Sequence, residues 1–416
     1  MRDGCGAGAI CPNGSWTLLP EPAVVVVADR AMPGIGEALA SLGPRVQAHL
    51  LPAGAIDAQA VRNADLLLVR STVRCGAELL EGSRVRLVAT ATSGIDHLDL
   101  AWLQRAGIAW AHAPGCNADA VVHWLAGAVC LLGRVRGWSR PPGVPPLAGL
   151  RAGVVGVGEV GRRAVRLLEA LGAEVLCCDP PRQREGGDGR QYLELDALCR
   201  QVDLLTLHVP LLREGQDRTV DLIDRRRLHL LPPDAAIFNS SRGEVVAEQV
   251  LRDPQGRTLL CDVFPGEPEV DPALVRSCLL ATPHIAGHSL QGRVRGTVQV
   301  YHAVCRFLGV QPCWQPGPAL WPPPLAGVRV GQGATGDLEV LAELLGQLHD
   351  LEADDRALRR LAELPPGVRG AAFRHHRDTY PLRHELTEAR IELVGHRPAL
   401  RAALTALGAH VTPACS

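Results

Sequence analysis

Short apolar runs separated by segments of helical spacing recur along most of the chain. The first run is Ala23–Ala28 (AVVVVA), and others stand at Asp65–Val69, Arg86–Ala91 and Ile108–Ala111. Between the first two, Gly34–Leu42 has helical spacing. After the loop Ala113–Asn117, an apolar stretch from Ala118 to Leu132 predicts a helix, with Asn117 placed to cap it. The Pro- and Gly-rich segment Arg134–Gly149 reads as a connection. A second set of runs follows at Ala152–Gly156, Glu174–Cys178, Asp203–Leu207, Ala235–Asn239, Thr258–Val263 and Cys278–Ala281. Such near-continuous runs suit strands buried on both faces. A helical segment, His288–Leu308, leads to a second Pro-rich connection, Gln311–Gly327, and Val328–Ser416 has the makings of a small third unit. Strands alternating with helices predict an α/β protein with parallel sheets.

A chain of 416 residues leaves room for two or three domains. A formal net charge of −1 argues against nucleic-acid binding driven by bulk charge. All 43 basic residues are arginine, so no Schiff-base lysine is available and an anion site must use arginine, backbone N–H groups or hydroxyls. The 13 cysteines show no metal-ligand rhythm, even the adjacent Cys177 and Cys178, and read as reduced, buried thiols of a cytoplasmic protein. No metal site is expected. No apolar run approaches the roughly 20 residues of a membrane span. Residues 1–20 lack the pattern of a signal peptide and read as a ragged extension.

Gly156, Gly158 and Gly161 form a G-x-G-x-x-G between the apolar strand Ala152–Val155 and the helical stretch Val160–Leu171. The next strand, Glu174–Cys178, ends in Asp179. The glycine pattern alone is weak, but strand, turn, helix and acid together make a dinucleotide-binding βαβ unit. Gly156 permits the turn, Gly158 admits the pyrophosphate and Gly161 lets helix and strand touch. The helix N-terminus offers free N–H groups to the diphosphate. Asp179 can accept hydrogen bonds from the ribose hydroxyls and would repel a 2′-phosphate, which favours NAD.

Three consecutive runs of the second set are followed by ionisable residues: Arg242 after AAIFNSS, Glu267 after TLLCDVFPG and His284 after CLLATP. In a parallel sheet these project from one rim. Singly, each has a bland reading, as a surface ion pair, a turn residue or a packing residue. Together beside a dinucleotide fold they suit oxidation of a hydroxy acid. A histidine can take the hydroxyl proton, a carboxylate can fix its tautomer and favour its charged form, and an arginine can bind the substrate carboxylate and polarise the oxygen. His208 reads as a strand residue, and His375 with His376 as a solvated face.

The strings GVVGVGEVGRR, NSSRG, DVFPGEPE and TPHIAGHSLQGRVRGTVQV resemble the D-2-hydroxyacid dehydrogenase family. RST at Arg70–Thr72, ATATSGIDHLD at Ala89–Asp99 and APGCNADAVV at Ala113–Val122 extend the resemblance to its branch that oxidises 4-phospho-D-erythronate. The resemblance spans about residues 23–310 and loosens after Gly327. It implies two Rossmann-like, doubly wound parallel-sheet domains plus a small C-terminal α+β dimerisation domain. The substrate (lid) domain would cover residues 21–117, completed by 288–310. The NAD-binding domain would cover 118–287 and the dimerisation domain 328–416. It further implies Arg242, Glu267 and His284 as active-site residues, and Ser71 and Thr92 at the substrate. Asp179, Ser240, Ser241, Arg242, Asp262 and Gly287 match NAD-contacting positions. His288 replaces a substrate-contacting tyrosine, and Val209 a threonine near NAD. A homodimer, a small phosphorylated substrate and no nucleic-acid or membrane partner complete the expectation. Two rivals are an enzyme of the same family acting on 3-phosphoglycerate, glyoxylate or lactate, and a non-catalytic NAD-binding sensor.

Overall fold

The computed structural model describes residues 24–186, 189–321, 325–333, 335–381 and 383–414. The ragged extension therefore lies outside the described residues. Strands are numbered in chain order. The first sheet contains β1 (Val24–Asp29), β2 (Val46–Leu51), β3 (Leu66–Val69), β4 (Leu87–Thr90) and β5 (Ala109–Ala111), in the order β2-β1-β3-β4-β5. The second contains β6 (Arg151–Val155), β7 (Glu174–Cys178), β8 (Leu204–Leu207), β9 (Ala236–Asn239), β10 (Thr258–Cys261) and β11 (Leu280–Ala281), in the order β11-β10-β9-β8-β6-β7. All neighbouring strands in both sheets run parallel. Strand order reverses between β1 and β3 in one sheet and between β6 and β8 in the other, and ligands bind at such points. A third sheet, also parallel, joins β12 (Ala326–Val330), β13 (Arg390–Leu393) and β14 (His410–Pro413).

The central strands β3, β4, β8 and β9 are buried at every residue, which is why their sequences read as unbroken apolar runs. The expected pattern omits β2. Its sequence VQAHLL sits at a sheet edge with four of its six residues exposed, so no apolar run marks it. The helix expected over Ala118–Leu132 extends to Arg136, into the predicted connection. It is long and apolar enough to cross a membrane by those criteria alone, contrary to the expectation of no such run. It is instead a core helix, 72% buried over its apolar window, with Trp124 fully enclosed. Asn117 precedes it without a side-chain capping bond. The amide of Asn117 packs against Gly287, where a Cβ would come within 2.2 Å.

Helices of the third unit pack on the second. Asp337–Leu348 lies along Ala118–Arg136, and Pro398–Ala406 along Gly161–Ala170. One apolar core runs through both, from Trp124 and Leu168 to Leu341 and Leu404. Of the ten described cysteines, nine are buried and only Cys313 is exposed.

Candidate active site

The glycine loop follows β6 at the point where strand order reverses. Gly156 has φ +83° and its α-hydrogen faces the His208 carbonyl, where a Cβ would come within 2.5 Å. A Cβ on Gly161 would stand 1.9 Å from the Gly156 carbonyl. Both sites therefore require glycine for close approach. Gly158 differs, since a Cβ there would meet nothing and the space over it is open. Among the described residues, the N–H groups of Gly158, Glu159 and Val160 have no recorded acceptor, and Val160 lends the helix Gly161–Ala170 no side-chain cap. An open cradle of N–H groups at a ten-residue helix N-terminus fits a diphosphate. Asp179 closes the loop from the end of β7. Its Oδ2 accepts from Val157 N at 2.7 Å and its Oδ1 from Arg182 N at 3.0 Å. Its position beside the glycine loop is thereby fixed. Val209 is half-buried against Gly156 and contributes an apolar wall.

The chemical residues stand on the ends of β9, β10 and β11, which are adjacent and in register at Asn239, Cys261 and Ala281. After β9, Asn239 staples the turn: its Oδ1 accepts from Ser241 N and Oγ, and its Nδ2 donates to the Arg242 carbonyl at 2.9 Å. The Ser241 hydroxyl is thus committed to the loop, whereas Ser240 is half-buried beside it. Gly243 then lies so close to Phe264 that a Cβ would reach 2.0 Å from that residue's carbonyl carbon, which draws the Arg242 loop against the Glu267 loop.

After β10, Asp262 is a buried organiser. Its Oδ1 accepts from the Thr282 hydroxyl at 2.6 Å and Ile285 N at 2.8 Å, and its Oδ2 from Ala286 N at 2.8 Å. Burial pushes its pKa up to about 6, against the pull of His284 and these donors. Trp124 Nε1 donates to the same Thr282 hydroxyl at 2.9 Å, which ties the core helix to the loop.

His284 follows β11 with φ +57°, a conformation rare for a non-glycine residue. Its N–H donates to the Asp262 carbonyl at 2.7 Å, and its own carbonyl accepts from Arg377 Nε at 3.2 Å. This backbone aims the imidazole at Glu267, with Nδ1 2.6 Å from Oε2. The other Glu267 oxygen accepts from Phe264 N at 2.8 Å. Burial raises the Glu267 pKa, but the charge and hydrogen bond of His284, with Arg377 and Phe264 N, outweigh it and hold the carboxyl below its usual range. An ionised Glu267 keeps the proton on Nδ1 and leaves Nε2 with a lone pair. The imidazole is 31% exposed, enough for a substrate to reach it.

Arg242 is held from another sheet. Its Nε and Nη2 donate to Asp96 Oδ2 at 2.9 and 2.5 Å, and its Nη1 to the Ser241 carbonyl at 2.7 Å. The guanidinium lies over Gly94, where a Cβ would come within 2.1 Å of Nη2. The loop that presents Asp96 is internally tied, since Thr92 donates to the Gly94 carbonyl and His97 Nε2 meets Thr90 Oγ1. Asp96 was not apparent from the sequence, although GIDHLD contains it. The Asp96→Ala variant should raise KM about tenfold. A charge-assisted pair is worth about 1.5–3 kcal/mol, and half-exposure of Asp96 reduces that. A KM unchanged in steady-state kinetics would show that Asp96 does not orient the guanidinium.

The remaining expected residues fall around this rim. Ser71 is exposed just past β3, and Thr92 half-buried just past β4. His288 is half-buried with its ring edge-on to Tyr380, 5.8 Å between centroids. Burial and the charges of Arg377, Arg293, His284 and Arg383 hold it neutral. His208 lies just past β8, its Nε2 2.9 Å from Thr206 Oγ1, with its pKa pushed down to about 4 by burial. Of the pair expected on a solvated face, only His375 is exposed. His376 is half-buried against Tyr380, and its Nε2 is enclosed without a partner among the described residues.

Residues 133–286 match the D-isomer specific 2-hydroxyacid dehydrogenase, NAD binding domain. The chain is 42% identical over 391 residues to the erythronate-4-phosphate dehydrogenase of Pseudomonas putida, covering 92% of this chain and 99% of that one. It is 43% identical over 389 residues to the enzyme of the same name from Azotobacter vinelandii, with 92% and 99% covered. Among solved structures, D-lactate dehydrogenase from Aquifex aeolicus, complexed with NAD and lactic acid, superposes with a TM-score of 0.55 at 25% identity. The match covers 68% of this chain and 95% of that one. The chain belongs to the erythronate-4-phosphate dehydrogenase family, within the D-isomer specific 2-hydroxyacid dehydrogenases.

Proposed function

We propose that the chain oxidises 4-phospho-D-erythronate at C2 to 2-oxo-3-hydroxy-4-phosphobutanoate with NAD, a step towards pyridoxal phosphate. The observation that carries the reading is the 2.6 Å contact between His284 Nδ1 and Glu267, on the strand end beside Arg242. When bound, NAD supplies the acceptor for the hydride that leaves C2. His284 Nε2 takes the C2 hydroxyl proton as the C2–O bond becomes a carbonyl. Glu267 stabilises the imidazolium that results. Arg242 has donors to spare beyond those engaged by Asp96 and Ser241, and these meet the substrate carboxylate and the C2 oxygen. The fixed acid Asp179 beside the glycine loop supports NAD over its 2′-phosphorylated analogue.

The same reading includes a cytoplasmic enzyme acting as a homodimer through its C-terminal unit. The edge strand β14, with three of four residues exposed, supports that placement, and sedimentation velocity of the purified chain tests it. The activity is tested by following NADH formation with 4-phospho-D-erythronate, 3-phosphoglycerate, D-lactate and D-glycerate. The phosphoerythronate should be turned over with the highest kcat/KM. Preference for another acid would replace the substrate, and no NADH from any would favour the sensor.

A further inference from the structure

We propose that Arg70, Arg293 and Arg377 form the pocket for the substrate phosphate, so that the C-terminal unit completes the substrate site. The inference rests on the functional reading above and names the residues that would recognise the far end of that substrate.

The three side chains come from three parts of the chain. Arg70 stands at the end of β3, where strand order reverses in the first sheet. Its Nε donates to buried Asp29 at 2.8 Å, which fixes the side chain and leaves both terminal amino groups for a ligand. Arg293 lies in the first turn of the helix Leu290–Leu308. One turn on, Gly296 packs on the Ala91 carbonyl, where a Cβ would come within 2.6 Å. Residues three apart share a helix face, so Arg293 sits over the ends of β3 and β4, which pair at Val69 and Thr90. Arg377, on the helix Arg369–Asp378, reaches the catalytic loop through its bond to the His284 carbonyl.

Arg70 is paired with Asp29 and Arg377 lies near the ionised Glu267, but the Arg293 charge is poorly compensated. Among the described residues the Arg293 guanidinium makes no hydrogen bond and no ion pair. Burial and the charges of Arg70 and Arg377 disfavour its protonated form, and Asp378 alone opposes them. His288, which also faces this space, is held neutral and adds no compensation. Guanidinium groups so arranged match a phosphate, which accepts paired N–H donors and carries about two negative charges. A chain without lysine has no other side-chain cation for the task. The pocket adjoins His284 at one side, while Arg242 serves the carboxylate.

The deciding measurement is the ratio of kcat/KM for 4-phospho-D-erythronate to that for D-erythronate. In Arg293→Gln this ratio should fall at least tenfold, and Arg293→Lys should restore part of it. Arg377→Gln should lower the ratio and also slow both substrates, because its Nε steadies the His284 backbone. Inorganic phosphate should compete with substrate in the wild type and bind less tightly to Arg293→Gln. NAD quenching of tryptophan fluorescence verifies that each variant is folded. A wild type active on 4-phospho-D-erythronate, with folded variants that keep the ratio and the phosphate inhibition, overturns the pocket. A wild type inactive on it overturns the functional reading instead.

Discussion

Replacing His284 should lower kcat by about 10²–10⁴, the usual worth of a positioned general base. His284→Asn is the most informative variant. The residue has φ +57°, and asparagine tolerates that region, whereas alanine pays for the strain. The Asn variant also keeps the backbone N–H that donates to Asp262 and the carbonyl that accepts from Arg377. Its loss can therefore be charged to the imidazole. NAD should still bind, because the glycine loop and Asp179 lie at the β6 and β7 ends, away from the histidine loop. Stopped-flow mixing with NAD and 4-phospho-D-erythronate would show binding without a hydride-transfer phase. A folded Asn variant that keeps more than a tenth of wild-type kcat would remove His284 from the chemistry.

The parts of this site legible in the sequence share one property: their positions follow from neighbouring residues. β9, β10 and β11 are buried runs, so their ends could be placed, and with them Arg242, Glu267 and His284. The glycines at 156 and 161 announce close backbone approaches, which the structure shows at 2.5 and 1.9 Å. What escaped the sequence depends on chain returns. Asp96 grips Arg242 across 146 positions, and Arg377 reaches His284 across 93. No local pattern marks either. The tie from Trp124 to Thr282 spans 158 positions and is equally hidden in an apolar helix. β2 escaped for a different reason, since an exposed edge strand need not be apolar. The supposed cap at Asn117 failed because its amide is drawn against Gly287, a contact set by tertiary packing.

Glu267→Gln should also cost about 10²–10⁴ in kcat, without moving a heavy atom, and the reason is a tautomer. Glu267 accepts twice, from Phe264 N and from His284 Nδ1. A glutamine has one oxygen. If that oxygen keeps the Phe264 N–H, the amide NH₂ faces Nδ1 and forces the imidazole proton onto Nε2, where the base is needed. The Asp→Asn change in a serine-protease triad, which costs about 10⁴ through the wrong tautomer, is the precedent. Stability should respond with a definite sign. Folding depresses the Glu267 pKa, so its contribution is complete above the usual carboxylate range and drains away as pH falls through the folded value. Asp262 has the opposite sign. Its pKa rises from 3.8 to about 6, so stability is lost as pH climbs through that interval. Urea unfolding from neutral pH down through the usual carboxylate range should therefore show the wild type's advantage over Glu267→Gln shrinking only at the acid end. If the advantage instead persists undiminished at the lowest pH where the protein folds, Glu267 is not the ionised partner of His284.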